Sequence, residues 1–154
     1  MLRWLKSLFK VPEPAGPPQM VREIEPEAKT ISQDGVVQSQ GGWLIEAKEK
    51  MTVRLFEVEL SGLNQCLVTY RAQLKSEDLQ EGAYLEMWCR LPGRGEFFSR
   101  GLKQKIKGAN DWGTYEIPFY LKKGQRPDLL KLNLAVLGPG KVWIKDIAVY
   151  QNPL

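Results

Sequence analysis

The sequence contains no histidine. That removes the commonest general base, the commonest imidazole ligand for metals and the usual partner of a serine or cysteine nucleophile, so most hydrolase mechanisms lose their central residue. Cysteine is nearly as scarce. Cys66 and Cys89 are the only two, too few and too far apart for a zinc cluster or a CxxC redox motif, and they read as buried free thiols. No apolar run approaches the ~20 residues of a bilayer-spanning helix. From Gly35 onward no stretch holds a helical period for three turns. An excess of one charge is also missing: 22 basic residues are offset by 18 acidic ones mixed among them, for a net charge of +4, and nucleic acid is not an expected partner.

What the sequence does contain is the punctuation of an all-β protein. At 154 residues it suits one domain with a full core plus a tail. Short apolar or alternating runs predict strands over 36–39, 43–47, 52–60, 66–74, 83–91, 96–99, 112–120, 129–137 and 141–150, about nine in all, as a sandwich requires. Turn residues divide them at Gly41-Gly42, Ser61-Gly62, Pro92-Gly93, Gly124 and Gly138-Pro139-Gly140. Alternation puts Leu130, Leu132, Leu134 and Val136 on one face, and Cys66, Val68, Tyr70, Ala72 and Leu74 on another. In 52–60 the apolar parity slips from Val53 and Leu55 to Phe56, Val58 and Leu60, which predicts a bulge near Leu55.

The first ten residues, MLRWLKSLFK, set Leu2, Leu5, Leu8 and Phe9 near one helical face with Trp4 beside it and Arg3, Lys6 and Lys10 elsewhere. This is a short basic amphipathic segment, read either as an interfacial foot on an anionic membrane or as a terminus packed on its own domain. It lacks the apolar core and small-residue cleavage site of a secretory signal, so the expected location is cytoplasmic, with peripheral attachment at the inner face of the membrane as an alternative. Residues 11–18, VPEPAGPP, contain four prolines and read as a semi-rigid spacer. The division expected is 1–10 amphipathic segment, 11–34 linker and lead-in, and 35–154 sandwich.

The phrase GPGKVWIKDIAVY at 138–150 resembles the glycine turn and closing strand of carbohydrate-binding-module-like jelly rolls of the galactose-binding-like fold. AYLEMWCRLPGRGEFFSRGL from Ala83 and GANDWGTYEIPF from Gly108 resemble the middle of the same kind of domain, in the uncharacterised bacterial members more than in well-studied sugar binders. The resemblance implies an antiparallel β-sandwich over residues 35–154 and a non-catalytic binding module for a carbohydrate or a protein partner. It does not identify the ligand, since one fold hosts many functions. No cofactor is expected; related jelly rolls often have an acidic residue, as Asp146 is here, near a structural calcium ion, but one carboxylate is not a site, and a calcium ion would need further oxygen ligands such as Glu46 or Glu57.

Tyr84, Glu86, Trp88 and Arg90 share one face of a strand whose other face carries Leu85, Met87, Cys89 and Leu91. If the second set is core, the first presents stacking area flanked by hydrogen-bonding groups, as a sugar ring or peptide requires. Alternatively a long loop or the N-terminal segment covers it. The following loop, 93–101, adds Arg94, Glu96 and Arg100 as a rim with forked donors for anionic or hydroxyl-rich ligands. A carboxylate-only enzyme using Glu86 and Glu96 as acid and base is the third reading. The basic run Arg100, Lys103, Lys105 and Lys107 reads as a solvated strand face, and Trp112 and Trp143 as core.

Overall fold

The computed structural model describes residues 15–154, and within them the chain is almost entirely antiparallel β. Nine strands follow in order: β1 (Gln19–Glu23), β2 (Val36–Ser39), β3 (Gly42–Ala47), β4 (Met51–Glu59), β5 (Cys66–Leu91), β6 (Gly95–Arg100), β7 (Ile106–Tyr120), β8 (Leu129–Val136) and β9 (Gly140–Pro153), with one 3-10 turn at Leu102–Gln104. Among the described residues no helix is long and apolar enough to cross a membrane.

The organising element is β5. Its first half pairs with β9 on one side and β7 on the other, and its second half pairs with β8 and β6. The chain bends between these halves. One continuous hydrogen-bonded sheet therefore curls into two facing layers, β2-β3-β9-β5-β7 and β4-β8-β5-β6, with β1 added along β9. The core fills the space between. Ile45, Val53, Val68, Leu85, Leu132 and Ile144 are all essentially inaccessible, each on the inward side of the two-residue alternation. The two apolar sets expected on β5 and β8 are both inside.

Leu55 is the extra residue of a bulge in β4: Arg54 pairs with Asn133 and Phe56 with Leu132, leaving Leu55 without a partner of its own. The slip lets Val53, Leu55, Phe56 and Val58 all reach the core. β2 and β3 are joined by Gln40-Gly41, both at positive φ (52° and 81°), the backbone of a tight primed hairpin turn.

Three expectations are corrected. The stretch 75–82, read as a connection between two strands, is the bend inside β5, where Ser76 and Leu79 are buried. The lead-in contains a strand: β1 pairs with β9, and Val21, Ile24 and Ala28 pack on the core, so from Gln19 onward this segment is part of the sandwich rather than a linker. Trp112 is not core but half-buried beneath the Lys145 ammonium, 4.2 Å from its ring centroid. Trp143 is buried as expected, with Lys75 over its ring at 5.0 Å. The amphipathic segment 1–10, with Leu2, Trp4, Leu5, Leu8 and Phe9, lies outside the described residues.

Candidate functional site

The second half of β5 turns Leu85, Met87, Cys89 and Leu91 inward and Tyr84, Glu86, Trp88 and Arg90 outward, as the alternation requires. The outward set is not simply exposed, because both neighbouring strands contribute side chains in register. Opposite Glu86 lie Asn133 of β8 and Arg100 of β6; opposite Trp88 lie Lys131 and Phe98. Glu86 is thereby sunk to 6% exposure and Tyr84, beside Ala135, to 8%. Among the described residues no long loop is the cover. The neighbouring strands are.

Glu86 is the hub. Its Oε1 accepts from Trp88 Nε1 at 3.0 Å and from Asn133 Nδ2 at 3.2 Å, and its Oε2 accepts from Arg100 Nε at 3.2 Å. A largely buried carboxylate needs such donors to offset its lost hydration. The Asn133 carbonyl in turn accepts from the buried Tyr70 hydroxyl at 3.3 Å, so β8 is tied at one residue from the core side and from the outer side. Burial alone pushes the Tyr70 phenol well above its usual range.

Trp88 has its N–H committed to Glu86 and its ring beside Phe98, centroids 5.3 Å apart and planes at 59°. Phe98 is 52% exposed, and the Arg100 guanidinium caps its ring at 4.2 Å. Next to this pair lies a cleft of 320 Å³ lined by Thr52, Arg54, Glu86, Trp88, Glu96, Lys131 and Asn133. Lys131 Nζ bonds Glu96 Oε1 at 2.7 Å across its rim. The cleft therefore offers an indole, an ammonium, a guanidinium, a carboxylate, an amide and a hydroxyl within one small area.

Of the residues expected at the site, Glu86, Trp88, Glu96 and Arg100 are brought together. Tyr84 lies on the same face but is nearly covered. Arg90 is elsewhere engaged: Nε and Nη2 hold Asp128 Oδ1 and Oδ2 at 2.8 and 3.1 Å. That fork holds the Asp128 carboxyl below the usual carboxylate range and raises Arg90 in return. Arg94 sits at the end of the sandwich, in a different cleft shared with Arg126. Sequence reasoning missed Thr52, Arg54, Phe98, Lys131 and Asn133. Lys131 and Asn133 were legible as the outward parity of their strand, but not that this strand lies beside β5.

The acid–base reading of Glu86 and Glu96 finds little support in this arrangement. Both oxygens of Glu86 are taken up by N–H donors, and Glu96 is bonded to Lys131. The calcium ligands do not converge either. Glu46 is on β3, Glu57 is on β4 in the other layer and pairs with Arg54 at 3.6 Å, and Asp146 sits at the β9 irregularity with φ 53°. Among the described residues no three Asp, Glu or Cys side chains are grouped to hold a metal. A larger cleft of 770 Å³ opens along β7 and the 3-10 turn, lined by Arg71, Lys105, Lys107, Tyr115 and Glu116 among others. Arg71 there is occupied by Glu116 at 2.9 Å and stacks on Tyr150 at 4.4 Å.

No family model matches the chain, and no curated protein does. Solved structures do. The CBM22-1 xylan-binding domain from Paenibacillus barcinonensis Xyn10C aligns with a TM-score of 0.53 over 91% of this chain and 99% of that one, at 12% identity. A family 16 carbohydrate binding module (TM-score 0.46, 9% identity, 70% of this chain and 74% of that one) and a mutant of a family 29 module (0.46, 15%, 77% and 75%) align more loosely. With the strand order above, the first of these shows the architecture of this chain to be the β-sandwich of carbohydrate-binding modules.

Proposed function

We propose that the chain is a non-catalytic carbohydrate-binding module whose site is the outer face of the β4-β8-β5-β6 layer. The observation that carries this reading is the Trp88–Phe98 pair standing beside the 320 Å³ cleft. A sugar ring presents C–H faces to an aromatic surface and hydroxyls at its margin; here the indole supplies the surface and Asn133, Lys131, Thr52 and Glu96 supply the margin. Because its N–H is already bonded to Glu86, Trp88 would contribute stacking rather than a hydrogen bond, and Glu86 would fix the ring's orientation instead of contacting ligand. The likeness to the CBM22-1 xylan-binding domain makes xylan the first polysaccharide to try.

The test is retention of the full chain in native gels cast with xylan and other soluble polysaccharides, together with a glycan array. Trp88→Ala is expected to weaken any retention by ~10-fold or more, as truncation of a central aromatic anchor does. Equal retention of wild type and Trp88→Ala would remove the site from this face. A blank array and unretarded migration in every gel would overturn the carbohydrate reading itself.

A further inference from the structure

Seven hydrogen bonds stitch five separate segments into one end of the sandwich. Leu121 N donates to Cys66 O, Gly124 N to Asn64 Oδ1, Asp128 N to Arg90 O, Leu60 N to Asp128 O, Leu154 N to Gln65 O, Ala15 N to Pro153 O and Asn152 Nδ2 to Gly16 O. The segments 15–18, 60–66, 91–95, 121–128 and 151–154 contain four basic residues, Arg94, Lys122, Lys123 and Arg126, and one acid, Asp128, already held in the Arg90 fork. All four basic side chains are exposed. The opposite end is more nearly balanced: segments 48–50, 77–82, 137–140 and, beside the bend of β5, 105–111 carry Lys48, Lys50, Lys105 and Lys107 against Glu49, Glu77, Asp78, Glu81 and Asp111. The excess of basic over acidic residues thus lies at the first of these ends.

The basic end is also where the chain enters the described body. Ala15 is bonded to Pro153 there, and only residues 11–14 stand between it and residues 1–10 in the sequence. Those ten residues add Arg3, Lys6 and Lys10 together with Leu2, Trp4, Leu5, Leu8 and Phe9. We propose that the sandwich docks end-on to an anionic lipid bilayer, with Arg94, Lys122, Lys123 and Arg126 against the headgroups. Lipid suits the surface better than nucleic acid. The five segments contain no aromatic ring on which a base could stack, whereas basic groups next to a short apolar and basic stretch are what an anionic interface attracts. The inference is independent of the carbohydrate reading. In this orientation the Trp88 cleft, on a sheet face rather than at a strand end, stays open to the side.

The experiment is co-sedimentation of the full chain with phosphatidylcholine vesicles, with and without phosphatidylglycerol. Compared with it are Lys122→Gln/Lys123→Gln/Arg126→Gln and, as a charge-matched control at a different surface, Lys103→Gln/Lys105→Gln/Lys107→Gln, each checked for unchanged thermal unfolding. A basic residue at a lipid surface is worth roughly fivefold in partitioning, so the first triple is expected to lose ~100-fold on anionic vesicles and the control far less. Equal losses in the two triples would reduce the effect to net charge and overturn end-on docking, as would binding that ignores phosphatidylglycerol or no binding at all. If deletion of residues 1–10 abolished binding while the first triple bound like wild type, the tail alone would be the contact and the docking surface would be refuted.

Discussion

At the scale of single residues, the two thiols show how burial sets chemistry. Cys66 and Cys89 are free, buried and close enough to interact. Burial pushes both upward, Cys89 to about 12, with Cys66 adding to it. The raised value means that the thiolate is disfavoured in the fold. Stability is therefore intact below the ordinary thiol range near 9.0 and falls as pH rises toward about 12. Urea unfolding followed from pH 8 to 12 should show this decline, and Cys89→Ala should have a shallower slope, with Tyr70 supplying part of what remains. A slope unchanged in Cys89→Ala would mean that this thiol is not the titrating group. The candidate site is legible at the same scale only in part. Parity along one strand announces that Glu86 and Trp88 point the same way, but their exposure depends on Asn133, Phe98 and Arg100, which reach them from strands that sequence does not place beside them.

At the scale of elements, the expected and observed strands agree in number but not in membership. Two expected strands merge into β5 because the polar run KSEDLQEG reads as a turn, while the fold uses it as a bend whose Ser76 and Leu79 face inward. β1 went unread because QMVRE offers only Val21 as a partly covered apolar residue and follows directly on prolines; what makes it a strand is the free edge of β9. The bulge at Leu55 was legible because a parity slip is recorded in the sequence itself. The bend in β5 rests on Gly140, at φ 144°, where a Cβ would lie 2.6 Å from Leu79 Cα and 2.7 Å from Asp78 O. Gly140→Ala must displace one backbone from the other, and a loss of ~2 kcal/mol or more in urea unfolding is expected. A loss under ~0.5 kcal/mol would show that the two segments are not held at that distance.

For the whole molecule, the boundary of the folded unit lies before Gln19 rather than at Gly35. β1 lines the β9 edge, and Val21 and Ile24 pack on the core; at ~1–2 kcal/mol for their burial, a chain beginning at residue 25 should melt about 3–8 °C below one beginning at residue 15. Identical melting curves would make β1 an ornament. A wider consequence follows from the bent strand. Since β5 supplies paired backbone to both layers, neither layer has a complete set of partners without the other, and six of the eight strand pairings join residues distant in the chain. Such a topology has no half that can stand as an intermediate. It should fold slowly, and it should open as a single cooperative unit, with the candidate site and the basic end lost in the same event.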